Sequence, residues 1–204
     1  MALSNELARN LLDIKAVQVN PTNYFTWTSG IKSPIYCDNR LTMSHPTIRK
    51  KITKAFIDMI DNMPEKPDVI AGCATAGIPH AAWLADKLDL PMVYVRSKPK
   101  GHGKGNQIEG ACTKGLKVLV IEDLISTGGS SLETASVLKA QGAEILAVHA
   151  IFSYGLDKAR QLFKKENINL ATITGYDELL NVMEHDNLLS KSEHEQLIEW
   201  RDNL

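Results

Sequence analysis

The sequence has few cysteines, and their spacing argues against two kinds of small domain. Cys37, Cys73 and Cys112 are the only three among 204 residues, an odd number without a C-x-x-C pair. A disulfide framework or a structural zinc site is therefore not expected. A reducing compartment, the cytoplasm, is the predicted location.

Long apolar runs and a strong excess of either charge are also missing. No stretch approaches the roughly 20 apolar residues that span a bilayer, and the amphipathic start, MALSNELARNLLDIKAV, carries acids that are untypical of a signal sequence. The formal net charge is −1, whereas a general nucleic-acid-binding domain is normally basic. We therefore expect a protein that binds neither membranes nor nucleic acid. With 44% hydrophobic and 23% charged residues, it can form an ordinary packed core.

Short aliphatic segments alternate with helical patterns from about residue 64 onward. The strand candidates are DVIAGCAT, PMVYVR, KVLVIEDL, EILAVHAIF and LATITG. Strand–helix alternation predicts an α/β fold with a mostly parallel sheet and right-handed crossovers. Before residue 64, a helix at about 4–17, strand pieces and a second helix to about residue 62 break this rhythm. We expect one domain over residues 1–204, with N-terminal elements (about 1–63), an α/β core (about 64–175) and C-terminal helices (about 176–204).

The segment VLVIEDLISTGGSS, residues 118–131, joins a buried strand, two acids and a turn of small residues. Open α/β sheets bind ligands at the carboxyl ends of their strands, and a small-residue turn opening a helix presents N–H groups to phosphate. Adjacent carboxylates would repel a phosphate, unless Glu122 and Asp123 face ribose hydroxyls or a Mg²⁺ ion between sugar and phosphate. The predicted ligand is a sugar phosphate. Neither G-x-x-x-x-G-K-[ST] nor a strand-linked G-x-G-x-x-G occurs, which argues against the nucleotide-binding loops with those signatures.

A basic, glycine-rich loop follows the second core strand. Arg96, Lys98, Lys100, His102 and Lys104 lie within nine residues that contain no acid, and glycines stand at 101, 103 and 105. Long loops in compact α/β domains are usually functional. We interpret this loop as a lid over the phosphate ligand.

Together these segments resemble the type I phosphoribosyltransferases, whose hallmark is an aliphatic strand, two acids and a small-residue loop. Within that family the sequence is most similar to the branch that acts on orotate. TSGIKSPIYCDNR (28–40) resembles its pyrimidine-binding segment, ATAGIPHAA its pyrophosphate loop and RSKPKGHGKGNQIEG its catalytic loop. The resemblance implies the type I fold, a mostly parallel central sheet flanked by helices with a small N-terminal hood.

The resemblance also implies an activity and partners. The expected enzyme is a pentosyltransferase that moves the ribosyl 5-phosphate group of 5-phosphoribosyl 1-diphosphate to orotate, giving orotidine 5′-phosphate and diphosphate in pyrimidine synthesis. Its implied cofactor is Mg²⁺, held mainly through the substrate rather than by a protein metal site. In this family the catalytic loop reaches into the neighbouring subunit, so a homodimer with shared active sites is implied.

The resemblance also assigns expected roles to individual residues of this sequence. The resemblance implies catalytic roles for Lys100, His102 and Asp123. It implies contacts to phosphoribosyl diphosphate for the loop cations, the acid pair and the turn that follows: Arg96, Lys100, His102, Glu122, Asp123, Leu124, Ile125, Ser126, Thr127, Gly128, Gly129 and Ser130. For orotate it implies Ser126, Lys32 and Tyr36.

At three positions the sequence lacks a lysine that is common in the family. Thr28, Ala76 and Ser97 stand where many members have lysine. More of the charge on diphosphate must then be neutralised by Mg²⁺ and the lid, including Lys98 and Lys104.

Two other functions stay open on the sequence alone. The same transfer could act on a purine or uracil, although the 28–40 segment disfavours this. A regulator could instead sense phosphoribosyl diphosphate and bind RNA or DNA, but the chain has neither a basic balance nor an added helix-turn-helix domain. His149 and Cys73 lie in aliphatic strands and are interpreted as core residues.

Overall fold

The computed structural model describes residues 3–26, 30, 32–98, 107–111 and 113–204. The N-terminal part contains α1 (Leu3–Asp13), β1 (Val17–Val19), β2 (Phe25–Thr26), β3 (Lys32–Ser33), β4 (Ile35–Cys37), a 3-10 helix (Asn39–Ser44) and α2 (Pro46–Asp61). The rest contains β5 (Val69–Cys73), α3 (Gly77–Leu88), β6 (Met92–Val95), β7 (Ile108–Glu109), β8 (Lys117–Ile125), α4 (Gly129–Ala140), β9 (Glu144–Ser153), α5 (Asp157–Lys165), β10 (Asn169–Gly175), α6 (Tyr176–His185) and α7 (Lys191–Asp202).

The central sheet has six strands in the order β10-β9-β8-β5-β6-β7. Every neighbouring pair is parallel except β6 and β7, which run antiparallel. This arrangement confirms the predicted α/β fold with a mostly parallel sheet. The strand order reverses at β5, and such reversals create ligand-binding crevices at the carboxyl edge of a sheet.

Side chains that alternate along each strand build a separate core on each face of the sheet. On β8, Leu119 and Ile121 pack into the core that contains residues of α1, α2, α3 and α6. Val118 and Val120 point the other way and pack with residues of α4 and α5. All four are fully buried. Because helices cover both faces, the strands are continuous aliphatic runs rather than half-polar ones.

The N-terminal strands form two small antiparallel pairs, β1 with β4 and β2 with β3. The 3-10 helix that follows is tied to the carboxyl end of β8, because the Asn39 side chain donates a hydrogen bond to the Asp123 carbonyl at 2.8 Å. Thr42 Oγ1 also lies 3.4 Å from His80 Nε2 on α3. These contacts hold the expected hood over the edge of the sheet where β8 ends.

Three local features differ from the sequence-based expectation. Helix α1 ends at Asp13 rather than near residue 17, because Lys15 adopts a positive φ of 58° and Val17 already pairs in β1. The segment Asn39–Ser44 forms a 3-10 helix that was not expected. After the glycine-rich loop, the short strand β7 forms at Ile108–Glu109, which was not expected.

Two core assignments are confirmed, since Cys73 is 1% and His149 is 3% exposed. Among the described residues, no helix has the length and hydrophobicity needed to cross a membrane.

Candidate functional site

A pocket of about 530 Å³ opens at the carboxyl edge of the sheet, where β5 and β8 end side by side. Its walls come from the hood, from the turn after β5 and from the end of β8: Cys37, Asp38, Arg40, Ala74, Thr75, Ala76, Glu122, Asp123, Leu124 and Ser130. The structure thus brings four of the sequence-predicted residues, Glu122, Asp123, Leu124 and Ser130, to one cavity. Residues 126–129 continue from it as the turn into α4.

The two adjacent acids have different surroundings. Glu122 is 5% exposed, and its carboxylate accepts hydrogen bonds from the Asp123 N–H at 3.0 Å and from the Ser130 hydroxyl at 3.1 Å. Asp123 is half-buried and lines the same pocket. The first acid is therefore bonded into the turn, whereas the second is available to a ligand.

Burial dominates the electrostatics of this acid pair. It raises the pKa of Glu122 well above its ordinary range, and the nearby charge of Asp123 raises it further. Burial also raises the pKa of Asp123. Because burial disfavours the charged forms of both carboxylates, a bound cation or a set of hydroxyl donors would stabilise those charged forms.

The turn between β8 and α4 exposes the start of a helix to the pocket. Gly128 is the N-cap of α4 with a φ of 80°, and no side chain of the described residues caps this helix end. A Cβ on Gly128 would lie 2.7 Å from Cε2 of Phe163, so a side chain would meet both an unfavourable backbone angle and a ring. The unpaired N–H groups and the positive end of the helix dipole suit a phosphate.

A second helix begins at the same pocket. Residues 74–76 link β5 to α3, whose N-cap Ala76 makes no side-chain capping hydrogen bond. Gly77 is needed for the close approach of this helix to β8, because a Cβ there would clash with the carbonyl oxygen of Ile121. The turn is tied to the next strand by a hydrogen bond from the Ala74 N–H to the Val95 carbonyl at 3.1 Å. Two uncapped helix starts therefore face one cavity.

Arg96 lies where β6 ends, beside the turn after β5. Its backbone N–H donates to the Gln107 carbonyl at 2.9 Å, and the Gln107 side chain donates back to the Arg96 carbonyl at 2.9 Å. The guanidinium group pairs with Glu109 at 3.3 Å. These bonds close the base of the proposed lid, and Arg96 itself is not among the pocket-lining residues. Lys100, His102 and Lys104 lie outside the described residues.

The two hood residues predicted for orotate lie apart from this pocket's walls. Lys32 is exposed and its Nζ donates to Thr26 Oγ1 at 2.7 Å. Tyr36 is 39% exposed, and its ring centroid lies 5.9 Å from that of Phe25. Neither residue is among those that line the cavity with Asp123.

Sequence reasoning missed two charged residues that do line the pocket, Asp38 and Arg40. Arg40 forms a two-bond ion pair with Asp38, Nε to Oδ1 at 2.6 Å and Nη2 to Oδ2 at 2.8 Å. This pairing lowers the pKa of Asp38. Both residues belong to the DNR triplet that ends the 28–40 segment, but only the fold shows that this triplet lies against the end of β8.

The chemistry of the pocket fits a Mg²⁺ ion that is shared with a substrate. Asp123 supplies hard oxygen ligands beside the buried Glu122, and a nearby cation would favour the charged forms of both carboxylates. The described part of the chain has no group of three or more side chains that could enclose a metal ion. Mg²⁺ is commonly held by one or two carboxylates together with substrate phosphates and water, and this donor set matches that pattern.

Comparisons with known proteins agree with the fold and show the family. The phosphoribosyl transferase domain model matches residues 43–178. An orotate phosphoribosyltransferase of Oceanobacillus iheyensis is 61% identical over 202 residues, which cover 99% of this chain and 100% of that protein. The crystal structure of orotate phosphoribosyltransferase from Aeropyrum pernix superimposes with a TM-score of 0.77 at 26% identity, covering 90% of this chain and 99% of that one.

A longer protein contains a similar unit. Leishmania donovani UMP synthase superimposes with a TM-score of 0.81 at 27% identity over 98% of this chain. The chain spans only 42% of that protein's length.

Proposed function

The chain belongs to the phosphoribosyltransferase family, in its orotate phosphoribosyltransferase branch, and on that premise we propose how its residues divide the reaction. The enzyme transfers the ribosyl 5-phosphate group of 5-phosphoribosyl 1-diphosphate to orotate, giving orotidine 5′-phosphate and diphosphate in pyrimidine synthesis. One structural observation supports the roles proposed for these residues. The Glu122–Asp123 pair and the uncapped start of α4 belong to one continuous edge of the pocket.

Residues 126–130 bind the 5-phosphate of the substrate. The N–H groups at the start of α4 and the hydroxyl groups of Ser126, Thr127 and Ser130 are the donors. Gly128 supports this role, because its positive φ forms the turn and the missing side chain leaves the backbone accessible. Leu124 and Ile125 complete the strand end that leads into this turn.

Asp123 orients the ribose hydroxyls and stabilises the positive charge that develops on the ribose ring as the diphosphate leaves. Its position on the pocket wall supports this role. Glu122 holds the turn, since it accepts hydrogen bonds from Ser130 and from the Asp123 backbone. A fixed carboxylate beside a developing cation needs no reorganisation during the reaction, which is the basis of electrostatic catalysis.

The diphosphate leaves toward the start of α3. Residues 74–76 offer N–H groups there, and Arg96, Lys100 and His102 add positive charge from the lid. When bound, Mg²⁺ would supply positive charge to the diphosphate, and Asp123, the acid that is available to a ligand, would be its candidate protein ligand. Exclusion of water by the lid strengthens these interactions and protects the activated sugar from hydrolysis.

Orotate binds between the hood and the turn, where Ser126 is the candidate donor from the core. Lys32 and the main chain near Tyr36 are the hood candidates for the ring and its carboxylate. The ties from Asn39 to Asp123 and from Thr42 to His80 support this placement, because they fix the hood beside the sugar site.

We also propose a homodimer in which each lid serves the neighbouring subunit's site, and a cytoplasmic location. The resemblance of residues 96–110 to the family's catalytic loop supports the shared lid, and Arg96 and Gln107 fix the base of this loop at the edge of the sheet. The thiols of Cys37 and Cys73 are both free, as expected in a reducing compartment.

Orotate consumption, followed by its ultraviolet absorbance with phosphoribosyl diphosphate and Mg²⁺, tests the function. Wild-type enzyme should consume orotate and leave adenine and uracil unchanged, and chelation of Mg²⁺ should stop the reaction. Asp123→Asn should lower kcat/KM by about 100-fold or more, because one preorganised charge is lost. Turnover of adenine or uracil without loss of orotate would refute the substrate, and unaltered kinetics of Asp123→Asn would remove Asp123 from the site.

A further inference from the structure

The described pocket has an excess of negative charge for a site that binds anions. Three acids line it, Asp38, Glu122 and Asp123, and among the described lining residues Arg40 is the one with a permanent positive charge. Both substrates of the proposed reaction are anionic, and diphosphate carries the most charge. A cation fixed in this wall is therefore of direct use to substrate binding.

Arg40 is held in a defined position by Asp38. Besides the two side-chain bonds, Asp38 Oδ1 accepts a hydrogen bond from the Arg40 backbone N–H at 3.2 Å. The Asp38 N–H in turn donates to the Ala16 carbonyl at 2.7 Å, which ties it to the hood. Nε and Nη2 of Arg40 face Asp38. Among the described residues Nη1 of Arg40 has no hydrogen-bond acceptor, so it can donate to a ligand.

The position of Arg40 favours diphosphate over orotate as its ligand. Arg40 shares the pocket with residues 74–76 and thus with the uncapped start of α3. The hood residues Lys32 and Tyr36 do not line this pocket. Arg40 is therefore grouped with the donors suited to a multiply charged anion rather than with the candidate ring contacts.

We propose that Arg40, positioned by Asp38, binds the diphosphate group of the sugar substrate and of the product. It then supplies beside Ala76 a positive charge that the turn after β5 lacks. This inference rests on the proposed function and extends it to a residue outside the loop, the acid pair and the turn.

The physical properties of arginine support this role. A guanidinium group presents several donors in one plane, so it can bond to a carboxylate on one side and to phosphate oxygens on another. The hydrogen bonds from Asp38 raise the pKa of Arg40 above its already high ordinary value, so the guanidinium group is charged at neutral pH. Because the Arg40 side chain is 62% exposed, its replacement should leave the fold intact.

Calorimetric titration of the whole protein with diphosphate and Mg²⁺, and separately with orotidine 5′-phosphate, tests this proposal. Arg40→Gln should weaken the Kd for diphosphate by about 10- to 100-fold, the effect of losing a charge-assisted hydrogen bond. The Kd for the nucleotide should change by less than about 3-fold, because it lacks the diphosphate group. The Kd of Arg40→Lys for diphosphate should lie between the Kd values of Arg40→Gln and wild type.

Lys54→Gln is the matched control, since it removes an exposed cation from a local ion pair on α2. It should bind both ligands as wild type does. The double variant Asp38→Asn/Arg40→Gln should bind diphosphate no more weakly than Arg40→Gln alone, because Asp38 acts through Arg40. A further loss in the double variant would overturn the positioning role of Asp38.

Unchanged diphosphate binding by Arg40→Gln, or an equal loss for both ligands, would overturn the assignment of Arg40. These results are distinguishable from failure of the proposed function. If wild-type enzyme forms no orotidine 5′-phosphate, the function itself fails. If wild type is active and Arg40→Gln retains its affinity for diphosphate, only the role of Arg40 fails.

Discussion

At the scale of single residues, Glu122 combines a structural and an electrostatic role. It is buried at the end of β8 and bonded to Ser130 and to the Asp123 backbone. Its raised pKa means that the folded chain without ligand holds a proton that the unfolded chain releases. At acid pH, where Glu122 is protonated in both the folded and the unfolded chain, it does not lower the free energy of unfolding. The free energy of unfolding then falls as the pH rises from the ordinary pKa of glutamate to the raised pKa of Glu122.

The variant Glu122→Gln should remove this pH dependence. The free energy of unfolding of the variant minus that of wild type should increase from pH 5 to pH 8, by about 1 kcal/mol or more. Urea denaturation without ligands, at both pH values, measures the difference. Glu133→Gln, which removes an exposed acid from α4, controls for net charge. A difference that stays constant or shrinks toward pH 8 would contradict the raised pKa of Glu122.

At the scale of elements, the turn into α4 depends on its two glycines in different ways. Gly128→Ala should destabilise the protein by about 1–3 kcal/mol, because the positive φ is strained for alanine and the new methyl group meets Phe163. It should also raise KM for phosphoribosyl diphosphate, since the turn that binds the 5-phosphate must shift. Thermal unfolding and steady-state kinetics measure the two effects.

Gly129 provides the matched control for that experiment. A Cβ at Gly129 would have no heavy atom within 4 Å beyond its own chain neighbours and helix backbone, and the residue already belongs to α4. Gly129→Ala should therefore leave stability unchanged or raise it by up to about 1 kcal/mol. Equal destabilisation by both substitutions would show that neither the angle nor the ring contact of Gly128 is decisive.

At the same scale, steady-state kinetics can test the role of the lid. Lys100→Ala should lower kcat by about 100-fold or more while weakening the binding of phosphoribosyl diphosphate much less, because the lost charge is needed mainly as diphosphate leaves. Steady-state kinetics and a direct binding titration separate the two effects. Lys54→Ala should leave kcat unchanged. An unaltered kcat for Lys100→Ala would remove Lys100 from the mechanism.

Much of the element pattern could be predicted because parallel strands buried on both faces are continuous aliphatic runs. β8 and β9 are long runs of this kind, and α6 begins at Tyr176, where the C-terminal helices were expected to begin. The short strand β7 could not be predicted, since its two residues become a strand only by pairing with β6. The end of α1 was missed because the positive φ of Lys15 depends on the pairing of β1 with β4.

The site could be predicted only where its residues follow one another in the chain. Glu122, Asp123 and the turn to Ser130 form one segment with a recognisable chemistry. Arg40 is separated from Asp123 by more than eighty positions in the sequence, and no local pattern indicates that both line one pocket. What brings them together is tertiary structure, namely the bond from Asn39 to the Asp123 carbonyl.

At the scale of the whole molecule, a net charge of −1 must be reconciled with two anionic substrates. The chain meets this demand locally, with cations concentrated in the lid and uncapped helix starts at one edge of the sheet. If the lid serves the neighbouring subunit, the lid cations that bind diphosphate and the acids that orient ribose come from different chains. Assembly would then be required for activity.

Mixing two inactive variants tests this shared site. In a heterodimer of Asp123→Asn with Lys100→Ala, one site combines both defects and the other has an intact acid pair and an intact lid. Random exchange of subunits makes about half of the dimers mixed, so about a quarter of wild-type activity should return. Co-expression with two different affinity tags isolates the mixed dimer for assay. If the lid served its own chain, each site would keep one defect and the mixture would be no more active than its parents.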